Sequence, residues 1–352
     1  MRSRGTRIAL RALIALAVGL VLLEVAVRAR QLWKHGTTAG YYQLEDDPES
    51  GLRIPVAGQR AGGITVNSLG FRGPEIELPK PEGLIRIAFL GGSTTFCAHA
   101  SSDARTWPAL VVEGLREAHP GLDFDYVNGG TAGYSTAQSL QNLRHRVAPL
   151  EPDVVVIYHG TNDLTHDSRE LAIAAGLHDP DADEPSWLAG ISVAWELFEK
   201  NLRWRRRTSD EHAKLAFDPA SVAAPFRARL EELVDTARET ADQVVLITFT
   251  PRQRRDQAPA VFREASRSSL FFMPWLEPED ILAGYETLNA TLRDVARAKG
   301  TILVEDEHSI PPDGQHFVDS VHFLDPGERK QADRVLAALE RSDPFQAFLG
   351  GH

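Results

Sequence analysis

Four short blocks in this chain hold the residue types needed for acyl transfer. Gly91-Gly92-Ser93-Thr94-Thr95 places a serine just after a short apolar run, with small neighbours that let the backbone turn sharply and bring amide N–H groups close. Asn128-Gly129-Gly130-Thr131-Ala132-Gly133 is dense in glycine, which implies close backbone approach. His159-Gly160-Thr161-Asn162-Asp163 offers the Asn162 side-chain amide as a neutral hydrogen-bond donor. Asp319-Ser320-Val321-His322 sets a carboxylate three residues before an imidazole, where it can fix the ring's tautomer and leave the second nitrogen as a base. Singly, each block has a plainer reading: a Gly-Ser turn with a helix cap, a loop needing positive φ, an Asn or Asp N-cap, and a surface histidine. His308 and His316 fit that last description. A phosphate loop is disfavoured, because no Lys-Ser/Thr pair follows the glycines. Together the blocks supply a nucleophile, backbone and amide donors, a base and its orienting acid.

For these blocks to meet, four loops must reach one edge of the fold. Apolar runs at residues 86–90, 124–127, 154–158, 244–249 and 302–304 read as strands, and the third, Val154-Val155-Val156-Ile157-Tyr158, reads as central. Helical patterns at about 107–118, 135–147, 223–241, 281–299 and 325–339 alternate with them, with Gly300 as a C-cap and Pro326 at a first helical position. This alternation predicts an α/β doubly wound domain with a parallel sheet covered on both faces. Ligands of such sheets bind beyond the carboxyl ends of the strands, which is where the four blocks fall.

On these residues the chain resembles the SGNH/GDSL hydrolase superfamily, whose serine, glycine, asparagine and histidine come in four ordered blocks. Ser93, Gly133 (in Asn128-x4-Gly133), Asn162 and the pair Asp319 and His322 match in order, over about residues 84–342. The segment Asn67-Ser68-Leu69-Gly70-Phe71-Arg72-Gly73 also looks like the one preceding the serine block in membrane-tethered bacterial members. One departure is that Gly92 stands where the family's Gly-Asp-Ser block has its aspartate. The resemblance implies a three-layer α/β/α sandwich with a five-stranded parallel sheet, flavodoxin-like. It also implies a serine esterase with Ser93, Asp319 and His322 as catalytic residues. Its oxyanion hole would be the Ser93 and Gly133 N–H groups with the Asn162 amide, and it needs no metal or organic cofactor.

Composition bounds the setting. The 352 residues are 43% hydrophobic and 25% charged, a soluble balance that excludes disorder and a polytopic membrane protein. One cysteine, Cys97, excludes an intramolecular disulfide and a multi-cysteine zinc site. A net charge of −11 argues against nucleic acid as a partner. The charge is uneven: residues 1–40 carry Arg2, Arg4, Arg7, Arg11, Arg28, Arg30 and Lys34 against Glu24 alone. Ile8 to Val27 is a nearly unbroken apolar stretch of bilayer-spanning length behind a basic front, with Glu24 placed to snorkel to the interface. It predicts a signal anchor, one transmembrane helix with the N-terminus cytoplasmic and the catalytic domain extracytoplasmic, periplasmic or at the cell surface. Secretion after signal cleavage is the alternative. The chain then divides into an anchor (1–30), a tether and irregular segment (31–83), the hydrolase domain (84–342) and a tail (343–352).

Two insertions interrupt that domain, at about 164–222 and 251–280. In the first, Ile191, Trp195, Phe198 and Leu202 are spaced as one helical face, ahead of a basic run at Arg203 and Arg205–Arg207. The expectation is a helix packed on the core with a solvated basic end, over one that touches a membrane or forms a lid. In the second, Leu270-Phe271-Phe272-Met273-Pro274-Trp275-Leu276 reads as an apolar loop, either walling an acyl pocket or plugging the core. The expected partners are an ester substrate, lipid or acylated glycan, and the membrane. The expected function is an extracytoplasmic esterase; the alternatives are an O-acyltransferase acting on an envelope polysaccharide and a non-catalytic envelope-anchored binding module.

Overall fold

A computed structural model describes residues 4–35, 42–180, 186–207 and 212–352. Arg2 of the basic cluster, residues 36–41 of the expected tether, and 181–185 and 208–211 of the first insertion lie outside the described residues. Helix α1 (Arg4–His35) contains a stretch, Leu10–Trp33, long and apolar enough to cross a membrane, with mean hydropathy 2.4 and none of its most apolar window buried against the rest of the protein.

Two small hairpins follow, β1 (Leu44–Asp46) with β2 (Arg53–Pro55) and β3 (Arg60–Ala61) with β4 (Ile64–Thr65). This part of the expected tether is built into the domain: Ile64, Val66, Phe71 and Arg72 are buried. Sequence periodicity does not reveal it, because strands of two or three residues are too short to show alternation.

The domain then runs through β5 (Leu84–Gly91), α2 (Ser93–Phe96), α3 (Trp107–Ala118), β6 (Asp123–Asn128), α4 (Thr136–Asn142), β7 (Val154–Tyr158) and α5 (Thr161–Ala174). It continues through α6 (Val193–Arg207), α7 (Ala223–Thr240), β8 (Gln243–Ile247), α8 (Pro259–Phe272), α9 (Pro278–Lys299), β9 (Ile302–Val304), α10 (Asp325–Glu340) and α11 (Asp343–Leu349). The five longer strands form one parallel sheet in the order β6-β5-β7-β8-β9. All five residues of β7 are inaccessible to solvent, as its unbroken β-branched run requires of a central strand. Helix α3 packs on α10, and α7 packs on α4 and α9, giving layers on either side of the sheet. The β5–β6 register sets Arg86 opposite Asp125, and the fully buried guanidinium bonds that carboxylate at 2.8 Å and the Leu150 carbonyl at 2.7 Å. Pairing of this kind is the condition on which a charge is tolerated inside a fold.

Three expectations differ from the structure. Residues 343–349, expected as a tail, form α11 and bury Phe345 and Leu349. The apolar stretch 270–276 is not a loop throughout: its first three residues complete α8, and Met273, Trp275 and Leu276 then plug the core. Helix α6 forms, but the stripe expected to pack on the core faces outward. Ile191 is 64% exposed, Phe198 54%, Trp195 39% and Leu202 37%. The inner side is carried instead by Val193, Leu197 and Trp204, with Trp204 stacked on Phe271 at 5.0 Å. A helical stripe has the same period whether it faces a core or something else, so spacing alone could not choose.

Candidate active site

In this strand order the reversal of direction lies beside β5, and the carboxyl ends of β5 and β7 open there, the expected place for a ligand. Ser93 is the first residue of α2, directly after β5, and Asn162 stands in the first turn of α5, directly after β7.

Three elements hold the turn that carries Ser93. Trp107 Nε1 donates to the Thr94 carbonyl at 3.0 Å, Asn128 Nδ2 to the Thr95 carbonyl at 3.0 Å, and buried Arg72 to the Phe96 carbonyl at 2.9 Å and to that of Cys97. Arg72 is itself held by Asp103 at 2.8 Å. Gly130 lies so close that a Cβ there would come within 2.4 Å of the Phe96 amide nitrogen, which requires glycine at that position of the loop after β6. Four carbonyl contacts from three directions leave the serine turn little freedom.

The imidazole arrives on a hairpin. Phe317 bridges Phe323 in antiparallel register, and the Val318 N–H donates to the His322 carbonyl, so Asp319, Ser320 and Val321 form the tip. The tip is pinned to the second insertion. Ser320 Oγ accepts from the Ser268 and Ser269 N–H groups of α8 at 3.1 and 3.2 Å, and the Ser320 N–H donates to Ser268 Oγ at 3.0 Å. The Arg252 N–H closes on the Ser320 carbonyl at 2.8 Å.

The outcome is a continuous hydrogen-bonded chain. His322 Nε2 lies 2.7 Å from Ser93 Oγ, and His322 Nδ1 lies 2.7 Å from Asp319 Oδ2. Asp319 Oδ1 accepts the Val321 and His322 N–H groups, each at 2.9 Å. Burial would raise the Asp319 carboxyl, but the bond to His322, the imidazolium charge and the two backbone donors outweigh it and hold it at about 2. Asp319 is therefore ionised across the physiological range.

Asn162 Nδ2 donates to the Tyr134 carbonyl at 2.8 Å, tying the β7 loop to the β6 loop. A Cβ on residue 92 would sit 2.5 Å from that same nitrogen, so the glycine that departs from Gly-Asp-Ser leaves the room in which the amide lies against the serine turn. Gly133, at φ +85°, is exposed at the same loop.

Several supporting residues were not singled out from sequence. Asp163, read there as a helix cap, is fully buried and accepts from the Thr136 N–H at 3.1 Å and from Thr136 Oγ1 at 2.6 Å, holding the start of α4. Arg229 of α7 backs it at 3.6 Å and bonds Asp167 at 2.7 Å, while His159 Nε2 meets Ser139 Oγ at 2.8 Å. The available signal was the four-residue spacing of His159, Asp163 and Asp167 on one side of a helix start. His99 was also missed; its ring lies 5.4 Å from that of His322, and burial together with the His322 charge lowers its pKa. His308 is exposed, and His316 bonds Asp313 at 2.8 Å. Among the described residues, His99, Asp319 and His322 have ligand atoms within 4.8 Å of one another and could hold a metal ion. Both His322 ring nitrogens are already engaged, so coordination there would first break a bond to Asp319 or Ser93.

Among solved structures, the chain is similar to the α/β hydrolase LAE5 from the metagenome of Lake Arreo, with 19% identity, 72% of this chain and 94% of that chain covered, and TM-score 0.44. It is also similar to the acetylxylan esterase Axe2 of Geobacillus stearothermophilus, with 17% identity, 72% and 93% covered, and TM-score 0.45. No curated protein matches the sequence. The family model described as the GDSL-like lipase/acylhydrolase family matches residues 89–330, most of the chain and every element of the site; the protein belongs to that family and is an ester-hydrolysing enzyme.

Proposed function

We propose that the protein is an extracytoplasmic serine esterase, held at the membrane by α1, which cleaves carboxylic esters through an acyl-enzyme on Ser93. The observation that carries this reading is the chain from Ser93 Oγ to His322 Nε2 and from His322 Nδ1 to Asp319, each link 2.7 Å long.

Ser93 Oγ attacks the ester carbonyl as His322 Nε2 takes its proton. The developing imidazolium is stabilised by ionised Asp319, which also keeps the ring in the tautomer that leaves Nε2 free. His322 returns the proton to the leaving alcohol, and water, activated by the same nitrogen, releases the acid. The oxyanion is met by the Ser93 N–H at the start of α2, the Gly133 N–H and the Asn162 amide. One Asn162 N–H is used on Tyr134, and an amide carries two. The substrate class is a carboxylic ester of a lipid, an acetylated envelope glycan or a small alcohol. The outward placement rests on the basic residues ahead of the apolar stretch of α1, which favour a cytoplasmic N-terminus.

The test is turnover of p-nitrophenyl acetate by the full chain in detergent, with fluorophosphonate labelling. Ser93→Ala is expected to abolish both turnover and labelling; full activity in that variant overturns the serine mechanism. Esters of rising acyl length, compared with acetylated glycans, then define the substrate.

A further inference from the structure

Helix α9 carries two polar side chains on its buried face, Tyr285 and, one turn on, Asn289. Asn289 holds the segment after β8: its Oδ1 accepts the Phe249 N–H at 2.7 Å, and its Nδ2 donates to the Phe249 carbonyl at 2.9 Å. Tyr285 reaches elsewhere. Its ring packs on that of Phe249 at 5.0 Å, and only 1% of the residue is exposed. Its hydroxyl lies 3.0 Å from Thr161 Oγ1 and 3.3 Å from Ser269 Oγ. One O–H and two lone pairs are enough for both. A tyrosine buried to this depth needs a partner for its hydroxyl, but that need does not dictate which. Here both partners belong to segments that present groups of the candidate site.

Thr161 opens α5 and directly precedes Asn162. Ser269 lies in α8, and its N–H, with that of Ser268, donates to Ser320 Oγ at the tip of the hairpin. Ser320 follows Asp319 and stands two residues before His322. One buried oxygen therefore spans the gap between the amide side of the site and the imidazole side. Burial pushes the Tyr285 phenol up to about 12 against the pull of its two hydrogen bonds, and the Asp319 charge acts in the same direction as burial. The hydroxyl keeps its proton at neutral pH, so ionisation does not open the bridge.

We propose that Tyr285 is a positioning residue for ester hydrolysis. Its hydroxyl ties the start of α5, which presents Asn162, to α8 and through it to the hairpin that presents His322, and so fixes the oxyanion donor and the base relative to each other. The proposal rests on the serine mechanism proposed above. The phenol is buried and acts through the groups on either side of it, not on the substrate. Acylation and deacylation use the same oxyanion donors and the same base, so a loosened bridge slows either step and spares ground-state binding. Its signature is a loss in kcat with KM kept.

The test is steady-state hydrolysis of p-nitrophenyl acetate by the full chain in detergent, with a melting curve for each variant. Tyr285→Phe keeps the ring and removes the hydroxyl. It is expected to lower kcat about tenfold, with KM within about twofold. Thr161→Val combined with Ser269→Ala keeps the phenol and removes both of its partners. This pair should reproduce the loss, and adding Tyr285→Phe to it should cost no more than about a further twofold. Tyr158→Phe is the control. Tyr158 is also fully buried and stacks on the same Phe249 at 5.5 Å, but its hydroxyl accepts the Thr250 N–H at 3.2 Å. Its loss should lower the melting temperature and leave kcat within about twofold. Wild-type kcat in Tyr285→Phe overturns the bridge. So does a loss that Tyr158→Phe matches, one that falls on KM, or one that multiplies with that of the partner pair. If Tyr285→Phe does not fold, the partner pair decides, and wild-type kcat there overturns the bridge. Ser93→Ala is run alongside. Full activity in it removes the serine mechanism and this proposal with it, whereas an inactive Ser93→Ala beside an unaffected Tyr285→Phe removes the bridge alone.

Discussion

Two Asp-x-x-His turns lie side by side in this protein, at 313–316 and 319–322, and only one of them meets the serine. Their local chemistry is nearly the same. Asp313 Oδ1 accepts the Gln315 and His316 N–H groups at 2.9 and 3.0 Å, as Asp319 Oδ1 accepts those of Val321 and His322. Each histidine turns Nδ1 to its own aspartate, at 2.8 and 2.7 Å. The hydrogen bond from His316 lowers the Asp313 carboxyl just as partners lower that of Asp319. The difference is tertiary. His316 sits at the base of the hairpin, its carbonyl accepting the Leu324 N–H, while His322 is carried past the tip onto Ser93. The turn orients an imidazole; the sheet edge and α8 decide whether that imidazole has anything to act on.

The comparison can be broken most directly by removing each ring. His322→Ala is expected to lower kcat by on the order of 10³ or more, and His316→Ala to leave it within about twofold, in steady-state hydrolysis of p-nitrophenyl acetate. Similar losses from both would mean that the outer histidine takes part. The aspartates sharpen it next. Asp319→Asn should reduce kcat by on the order of 10³–10⁴ through the wrong tautomer, with little change in KM, whereas Asp313→Asn should not alter either. Asn162→Ala, which leaves both turns intact, should cost about 10²–10³ in kcat, separating oxyanion support from base function.

The smallest expected effect is on stability. A carboxyl whose folded pKa is depressed contributes stability above its unfolded value, near 3.9, and loses it as pH falls through the folded value. For Asp319 that value is about 2. Urea unfolding between pH 5 and 2 should show a shallower acid loss in Asp319→Asn than in the wild type. Asp313→Asn should show a weaker change of the same sign, because its carboxylate is half exposed and partly screened by water.

Much of the site was legible in the sequence because its residues follow strand ends, and buried strands announce themselves. Val154–Ile157 is a continuous β-branched run closed by Tyr158, and its length and β-branching mark a buried central strand. The companions of those residues were not legible. Arg72, Asn128 and Asp163 act on partners 24, 33 and 27 residues away in the chain, and no local period encodes such pairs. Helix α8 is masked in the sequence because its last turn, Leu270-Phe271-Phe272, runs straight into the buried Met273–Leu276 stretch, so that the apolar block stands apart from Pro259 at the helix start. The outward stripe of α6 escapes sequence reading for a related reason: apolar spacing marks one face of a helix and is silent on what that face meets.

His322 follows Ser93 by 229 residues. In a chain synthesised from its N-terminus, the serine exists as an ordinary alcohol through most of translation. It gains a base only when the hairpin at 317–323 has emerged and locked onto α8. On the proposed mechanism the enzyme is therefore silent until that hairpin has formed. A fragment ending before the hairpin contains every strand of the sheet and is expected to cleave nothing. On the mechanism proposed above, recovery of ester turnover during refolding reports the closure of the Ser93–His322 contact.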